Sequence, residues 1–283
     1  MQIGTATTPP STNCLRTLVR EEPMNDYEKL SLEIRGHVAL LTIDNPPANT
    51  WTRESLAGLA RLVADLNADR EIYSLVVTGS GEKFFSAGAD LKQFASGDKK
   101  AAQDISTLFG KAFEALAAFR GVSIAAINGY AMGGGLECAL ACDIRIAEAQ
   151  SQLALPEAAV GLLPCGGGTQ RLAWLVGEGW AKRMILCGER LNAETALRIG
   201  LIEELVPTGG AKARAMELAL LAEKQSPLSV TACKQLIQGA RGAPMNSLLG
   251  TEREAFVALF GTRDQQEGVN AFLQKRKPLW KNA

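Results

Sequence analysis

Up to Pro207 the sequence alternates between two hydrophobic periods, and beyond it only one survives. "LSLEIRGHVALLTID" (30–44) breaks at Arg35-Gly36 into two short halves that are β-branched or alternating, which predicts strand, tight turn, strand. "YSLVVTGSG" (73–81), "VSIAAING" (122–129) and "IRIAEAQ" (144–150) read as further strands, and "SQLALPE" (151–157) as an extended segment. "TRESLAGLARLVADLNAD" (52–69) has helical spacing, with Thr52 as its N-cap. Further helices are expected at about 103–119, after the glycine triplet 133–135, and in two pieces over 168–188. "LNAETALRIGLIEELVP" (191–207) reads as helix, glycine stop and strand. Strands alternating with helices imply an α/β fold with mostly parallel strands. After Pro207, three helical stretches follow without a strand, so a boundary is expected near residue 208. The last helices are expected to bury an apolar face against the core or a neighbouring subunit.

The first 23 residues differ from the rest, being rich in Thr, Ser and Pro and lacking an apolar signal core. They read as a disordered leader, or as a start placed upstream of Met24. The expected organisation is thus leader 1–23, core 24–207 and helical region 208–283.

Charge and cysteine content narrow the partners. Thirty basic and thirty acidic residues leave a formal net charge of zero, so no global field draws nucleic acid or a membrane surface. An anionic ligand must be held by local groups. The six cysteines form no CxxC pair and there is one histidine, which argues against a zinc site. Cys138 and Cys142, one helical turn apart, read as apolar packing in a reducing compartment, and a cytoplasmic setting is expected. No apolar run reaches membrane-spanning length.

Three stretches carry candidate chemistry. In "AMGGGLECALACD" (131–143), three glycines open a helix that is apolar almost all round except for Glu137. A Walker A loop would need Lys-Ser/Thr where Leu136-Glu137 stand, and a dinucleotide fingerprint would need glycine at Cys138. Two readings remain from this stretch alone. Either the glycines serve packing and Glu137 favours the helix N-terminus, or the backbone N–H groups and Glu137 face a cleft. In "ALPEAAVGLLPCGGGTQRL" (154–172), Glu157 again lies among apolar residues, beside Pro156. Two carboxylates in apolar settings can divide proton donation and acceptance between them. In "KFFSAGADLKQFASG" (83–97), Gly88 permits a tight turn from which the Ala89 N–H could project, and Asp90 reads as a helix cap. Lys92 reads as solvated or ligand-facing, and His37 as structural.

With "FSAGADLK", "INGYAMGGGLECALACD" and "LPEAAVGLLPCGGGTQRL" in this order, the chain resembles the crotonase (enoyl-CoA hydratase/isomerase) superfamily from about residue 29 onward. The resemblance implies a spiral of ββα units, with C-terminal helices that build homotrimers or hexamers. It implies an acyl-CoA substrate whose thioester oxygen is held by the N–H groups of Ala89 and Gly134. It also implies hydratase chemistry without a metal or organic cofactor, in which Glu137 activates water and Glu157 gives a proton to Cα. Ala48, Asn49, Asp90, Leu91 and Lys92 are expected to flank CoA. Phe272 and Lys275, in "AFLQKRKPLWK" (271–281), are expected to meet its adenine and phosphates, possibly across a subunit boundary. Three positions depart from the family pattern: Leu155 where some hydratases carry glutamine, Cys165 where glycine is frequent, and Trp51 where a smaller residue is usual. The alternatives are a Δ3-Δ2-enoyl-CoA isomerase or another crotonase reaction, a catalytically idle CoA- or RNA-binding protein, and, more distantly, a dinucleotide oxidoreductase.

Overall fold

A computed structural model describes residues 19–24 and 27–283. Its elements run β1 (Val19–Met24), β2 (Leu30–Arg35), β3 (Val38–Ile43), α1 (Arg53–Ala68), β4 (Ser74–Gly79), β5 (Phe84–Ser86) and α2 (Lys99–Ala117). There follow β6 (Val122–Ile127), β7 (Tyr130–Met132), α3 (Gly134–Ala141), β8 (Ile144–Glu148), β9 (Gln152–Ala154) and α4 (Gly168–Leu186). The chain continues with β10 (Leu191–Asn192), α5 (Ala193–Arg198), β11 (Glu204–Val206), α6 (Ala211–Ala222), α7 (Pro227–Gly239), α8 (Met245–Leu259) and α9 (Arg263–Leu273).

The strands form two mixed sheets. The larger has the order β1-β2-β3-β4-β6-β8-β11, antiparallel up to β3 and parallel from there on. The smaller has the order β10-β9-β7-β5, with β10 antiparallel to the rest. Three times in succession a strand of the large sheet leads to a strand of the small sheet and then to a helix: β4-β5-α2, β6-β7-α3 and β8-β9-α4. This is the ββα spiral of the crotonase fold.

Period-two alternation explains why the large sheet reads as continuous apolar runs. Leu41, Ile43, Leu75, Val77, Ala125 and Ile127 face the main core under α1, α2 and α3. Their neighbours Val38, Leu40, Val76, Ile124 and Ala126 face the small-residue stripe Ala211, Ala215 and Ala219 of α6. Both faces are covered, as parallel strands require. The helix directly after Pro207 is therefore a layer of this sheet. Beyond it, α7 docks by side chains: Thr231 Oγ1 donates to the Arg120 carbonyl (3.0 Å), and Lys234 Nζ reaches Asp143 (2.7 Å). α8 leaves Phe256, Val257 and Phe260 exposed within the single chain.

Several boundaries differ from expectation. Asp98 caps α2, its carboxylate accepting from the N–H groups of Lys100 and Ala101, so that helix begins four residues before the expected start. β7 and β10 are too short to show alternation in sequence. The disordered leader is corrected at its end: Val19–Met24 pairs antiparallel with β2, whose outer edge otherwise carries unpaired backbone groups. Residues 1–18 lie outside the described residues. No helix among the described residues is long and apolar enough to cross a membrane.

Candidate active site

The three glycine-bearing stretches converge. Gly88, at φ +90°, follows β5 so closely against β7 that a Cβ there would lie 2.7 Å from the Met132 carbonyl oxygen and 3.1 Å from the Gly134 nitrogen. Only glycine admits this approach. Trp51 forms a single parallel bridge with Ala89, its N–H donating to the Gly88 carbonyl (2.8 Å) and its carbonyl accepting from the Asp90 N–H (3.3 Å). In a parallel bridge of this kind the middle residue's N–H lies on the side away from its partner, so the Ala89 N–H points away from Trp51, and Ala89 lines a cavity. Gly134 opens α3, and its N–H is one of the four that a helix start leaves without an intrahelical partner. Gly134 lines the same cavity.

Glu137 lies one turn into α3 and is 2% exposed. Its Oε1 accepts two backbone hydrogen bonds, from Gly166 N–H (2.7 Å) and Gly168 N–H (2.8 Å), where the second glycine triplet leads into α4. Burial raises its pKa, while those two N–H groups and the charge of Arg171 oppose the rise. Glu157 opens a short 3-10 turn after Pro156. Its Oε1 overlies Gly133, 3.1 Å from where a Cβ would sit, and its buried Oε2 has no hydrogen-bond partner. Burial first, and the Glu137 charge after it, push the Glu157 pKa up to about 7, against the pull of its own backbone N–H.

Both glutamates, Ala89 and Gly134 line a cavity of about 690 Å³. Its remaining wall is mainly apolar: Leu91 and Phe94 from the turn after Asp90, Phe109 from α2, and Val160, Leu162 and Leu163 after Glu157. Among the described residues no Lys, Arg or His lines it. A second cavity of about 750 Å³, between α4 and α7, contains none of the predicted site residues. The first arrangement pairs a carboxylate near neutrality with one held by backbone donors, beside two N–H groups able to receive an oxyanion.

The other predicted residues separate. Leu91 lines the cavity, whereas Asp90 caps the turn by accepting from the Lys92 N–H (3.1 Å) and Lys92 is exposed. Asn49 is buried and turned inward, its Nδ2 donating to the Ser80 and Phe84 carbonyls (both 2.9 Å). The Ala48 carbonyl accepts from Ala87 N–H (2.9 Å), tying its loop to the Ala89 turn. Phe272 and Lys275, exposed at the end of α9, line neither of these cavities. His37 is structural, with Nδ1 2.6 Å from the Glu71 carbonyl and its ring stacked on Tyr73. Sequence reasoning missed Gly166 and Gly168 as the donors to Glu137. The signal was a glycine triplet at a helix start, where backbone N–H groups are free.

Known proteins similar to this chain bear on this geometry. Residues 33–283 match the profile of the family described as enoyl-CoA hydratase/isomerase. A short-chain-enoyl-CoA hydratase of Clostridium acetobutylicum is 37% identical, the match covering 89% of this chain and 97% of that protein. A 2,3-dehydroadipyl-CoA hydratase of Escherichia coli is 38% identical, covering 89% of this chain and 98% of that one. A solved structure of Pseudomonas aeruginosa DspI is 65% identical and superposes with a TM-score of 0.88, over 90% of this chain and 97% of that one. A profile match across most of the chain, joined to the ββα spiral, makes this protein a member of the enoyl-CoA hydratase/isomerase (crotonase) family.

Proposed function

We propose that the protein is an enoyl-CoA hydratase that adds water across the double bond of a trans-2-enoyl-CoA to give a 3-hydroxyacyl-CoA. In this reading the N–H groups of Ala89 and Gly134 hold the thioester oxygen and stabilise the enolate charge that develops on it. Glu137 takes a proton from water, whose oxygen bonds to Cβ. Glu157 gives its proton to Cα on the same face. The 3-hydroxy product leaves Glu137 protonated and Glu157 ionised, and solvent exchange resets both. The reaction as written uses no metal or organic cofactor.

One observation carries the proposal: the buried Oε2 of Glu157 has no partner in a cavity it shares with Glu137 and Gly134. An unpartnered buried carboxyl oxygen is costly for structure alone and is accounted for by a proton acceptor that arrives with the substrate. Ala48, Asn49 and the Asp90-Leu91-Lys92 turn would flank CoA through backbone and rim contacts. Phe272 and Lys275, remote within one chain, would serve a neighbouring subunit of a trimer or hexamer, and the exposed apolar face of α8 supports such an assembly.

The test is Glu137→Gln and Glu157→Gln, assayed for hydration of crotonyl-CoA. Each is expected to lower kcat by orders of magnitude while CoA binding persists, and full activity in either would sink the assignment. Isomerisation of a 3-enoyl-CoA is the second reading, favoured by the near-neutral pKa of Glu157, since a shuttle between carbons needs only that carboxyl. Product analysis with 2-enoyl and 3-enoyl thioesters separates the two.

A further inference from the structure

We propose that Arg171 is a positioning residue: by gripping the Gly166 carbonyl it holds two N–H donors on Glu137, and by its charge it makes Glu137 the base of the pair. This rests on the reading of Glu137 as the group that activates water.

Arg171 lies one turn into α4, and its side chain folds back over the start of its own helix. Nη1 donates to the Gly166 carbonyl (2.9 Å), and Nη2 reaches the Phe113 carbonyl of α2 (3.5 Å). The guanidinium therefore joins the glycine segment to α2 from behind. The same peptide segment presents Gly166 N–H and Gly168 N–H to Glu137 Oε1. Gly167, at φ +101°, lies between those donors, and a Cβ there would be 2.5 Å from Arg171 Nη1. The glycine is thus required by the arginine as well as by the turn.

No carboxylate lies within ion-pair distance of Arg171 among the described residues, although a largely buried guanidinium ordinarily has one. Its electrostatic partners are Glu114 on α2 and Glu137 on α3. The groups facing Glu137 are Arg171 from α4, Cys165 from the glycine segment and Glu157 from the 3-10 turn; Cys138 is its neighbour on α3. Arg171 is the cation of this set. Both glutamates are desolvated, but Arg171 acts on Glu137 and not on Glu157. Burial raises both carboxyls, but the two N–H donors and Arg171 restrain the rise at Glu137, so the pair is set apart and Glu157 is the one that Arg171 does not help to ionise.

The experiment compares Arg171→Gln and Arg171→Lys with the wild type, following kcat/KM for crotonyl-CoA against pH and separating kcat from KM. Removing the positive charge makes Glu137 harder to ionise, and a base must be ionised to act. Arg171→Gln is therefore expected to move the acid limb up by about one pH unit, with KM within about twofold of wild type. Arg171→Lys keeps the charge and is expected to leave the limb in place while kcat falls. An unmoved limb in Arg171→Gln, or an equal loss at every pH in both variants, would overturn the proposal. Should Arg171→Gln fail to fold, Arg171→Met removes the charge and keeps the aliphatic stem. It is expected to shift the limb the same way, and an unshifted limb refutes the role. If Glu137→Gln is fully active, the parent reading has failed instead.

Discussion

The ring of Phe109 stands against Gly134 so closely that a Cβ at that glycine would lie 2.7 Å from the ring's Cε1. The first N–H of α3 is thus held between an aromatic wall and the Ala89 turn. Gly134→Ala must shift Phe109 or tilt the start of α3, and in the proposed mechanism either moves the donor off the thioester oxygen. The expected result is a fall in kcat of about 10²-fold or more, with KM changing less. Steady-state hydration of crotonyl-CoA measures it, and a circular-dichroism melt checks that the fold is kept.

In the proposed mechanism the position of Glu157 near neutrality sets the basic limb of the pH profile, and sets it alike in both directions. Hydration needs Glu157 protonated in the free enzyme, so kcat/KM should decline as pH rises through about 7. Dehydration of the 3-hydroxyacyl-CoA starts from the same proton count with the proton on Glu137 instead, and the overall reaction takes up no net proton, so its kcat/KM should decline through the same pH. Initial rates in both directions over pH 5.5–9 test this, and wild-type profiles flat through pH 7 would exclude Glu157 as the Cα acid-base.

Much of this site was legible in the sequence because backbone chemistry leaves residue-type marks. Glycine at 88 and at 133–135 announced close approaches and free N–H groups, and Glu137 and Glu157 stood out against apolar neighbours. The large sheet was legible because burial on both faces produces unbroken apolar runs such as "SLVV". The small sheet was not: β7 has three residues and β10 two, and their pairing is set by the spiral rather than by local alternation. Arg171 escaped notice for a related reason. In sequence it is a basic residue on a helix, and only the fold-back to Gly166 connects it with Glu137. The family resemblance sets Asn49 beside CoA, but its amide is turned inward, against the Ser80 and Phe84 carbonyls.

Glu157 should also lower stability at working pH. Its folded pKa of about 7 lies above the ordinary 4.5, so between those values the folded chain keeps a proton that the unfolded chain has released. Stability therefore falls as pH rises across that window and levels off above it. Glu157→Gln removes the titration, and is expected to gain roughly 2–3 kcal/mol over wild type at pH 8 but little at pH 5. Thermal melts at both pH values test the sign: a Tm gain confined to the higher pH supports the burial cost, and equal Tm values at both oppose it.

The apolar lining makes a last prediction about the acyl group. Apart from the two glutamates, no charged side chain among the described residues lines the cavity, and its apolar wall is built by Leu91, Phe94, Phe109, Val160, Leu162 and Leu163. A 2-hexenoyl chain can lie along such a wall, whereas 2,3-dehydroadipyl, of the same carbon length, ends in a carboxylate that would lose its water without gaining a cation. The protein is therefore expected to prefer 2-hexenoyl-CoA over 2,3-dehydroadipyl-CoA by tenfold or more in kcat/KM, although a relative 38% identical is named for the latter substrate. Ser106 lies on α2 one turn before Phe109 and lines the cavity, so Ser106→Arg would place a guanidinium on that wall. This change is expected to raise kcat/KM for the dicarboxylic thioester and lower it for the alkyl one, narrowing or reversing the preference. Competition of the two thioesters for wild type and variant reads the ratio directly, and a wild type indifferent to the terminal carboxylate would show that the chain end lies outside this wall.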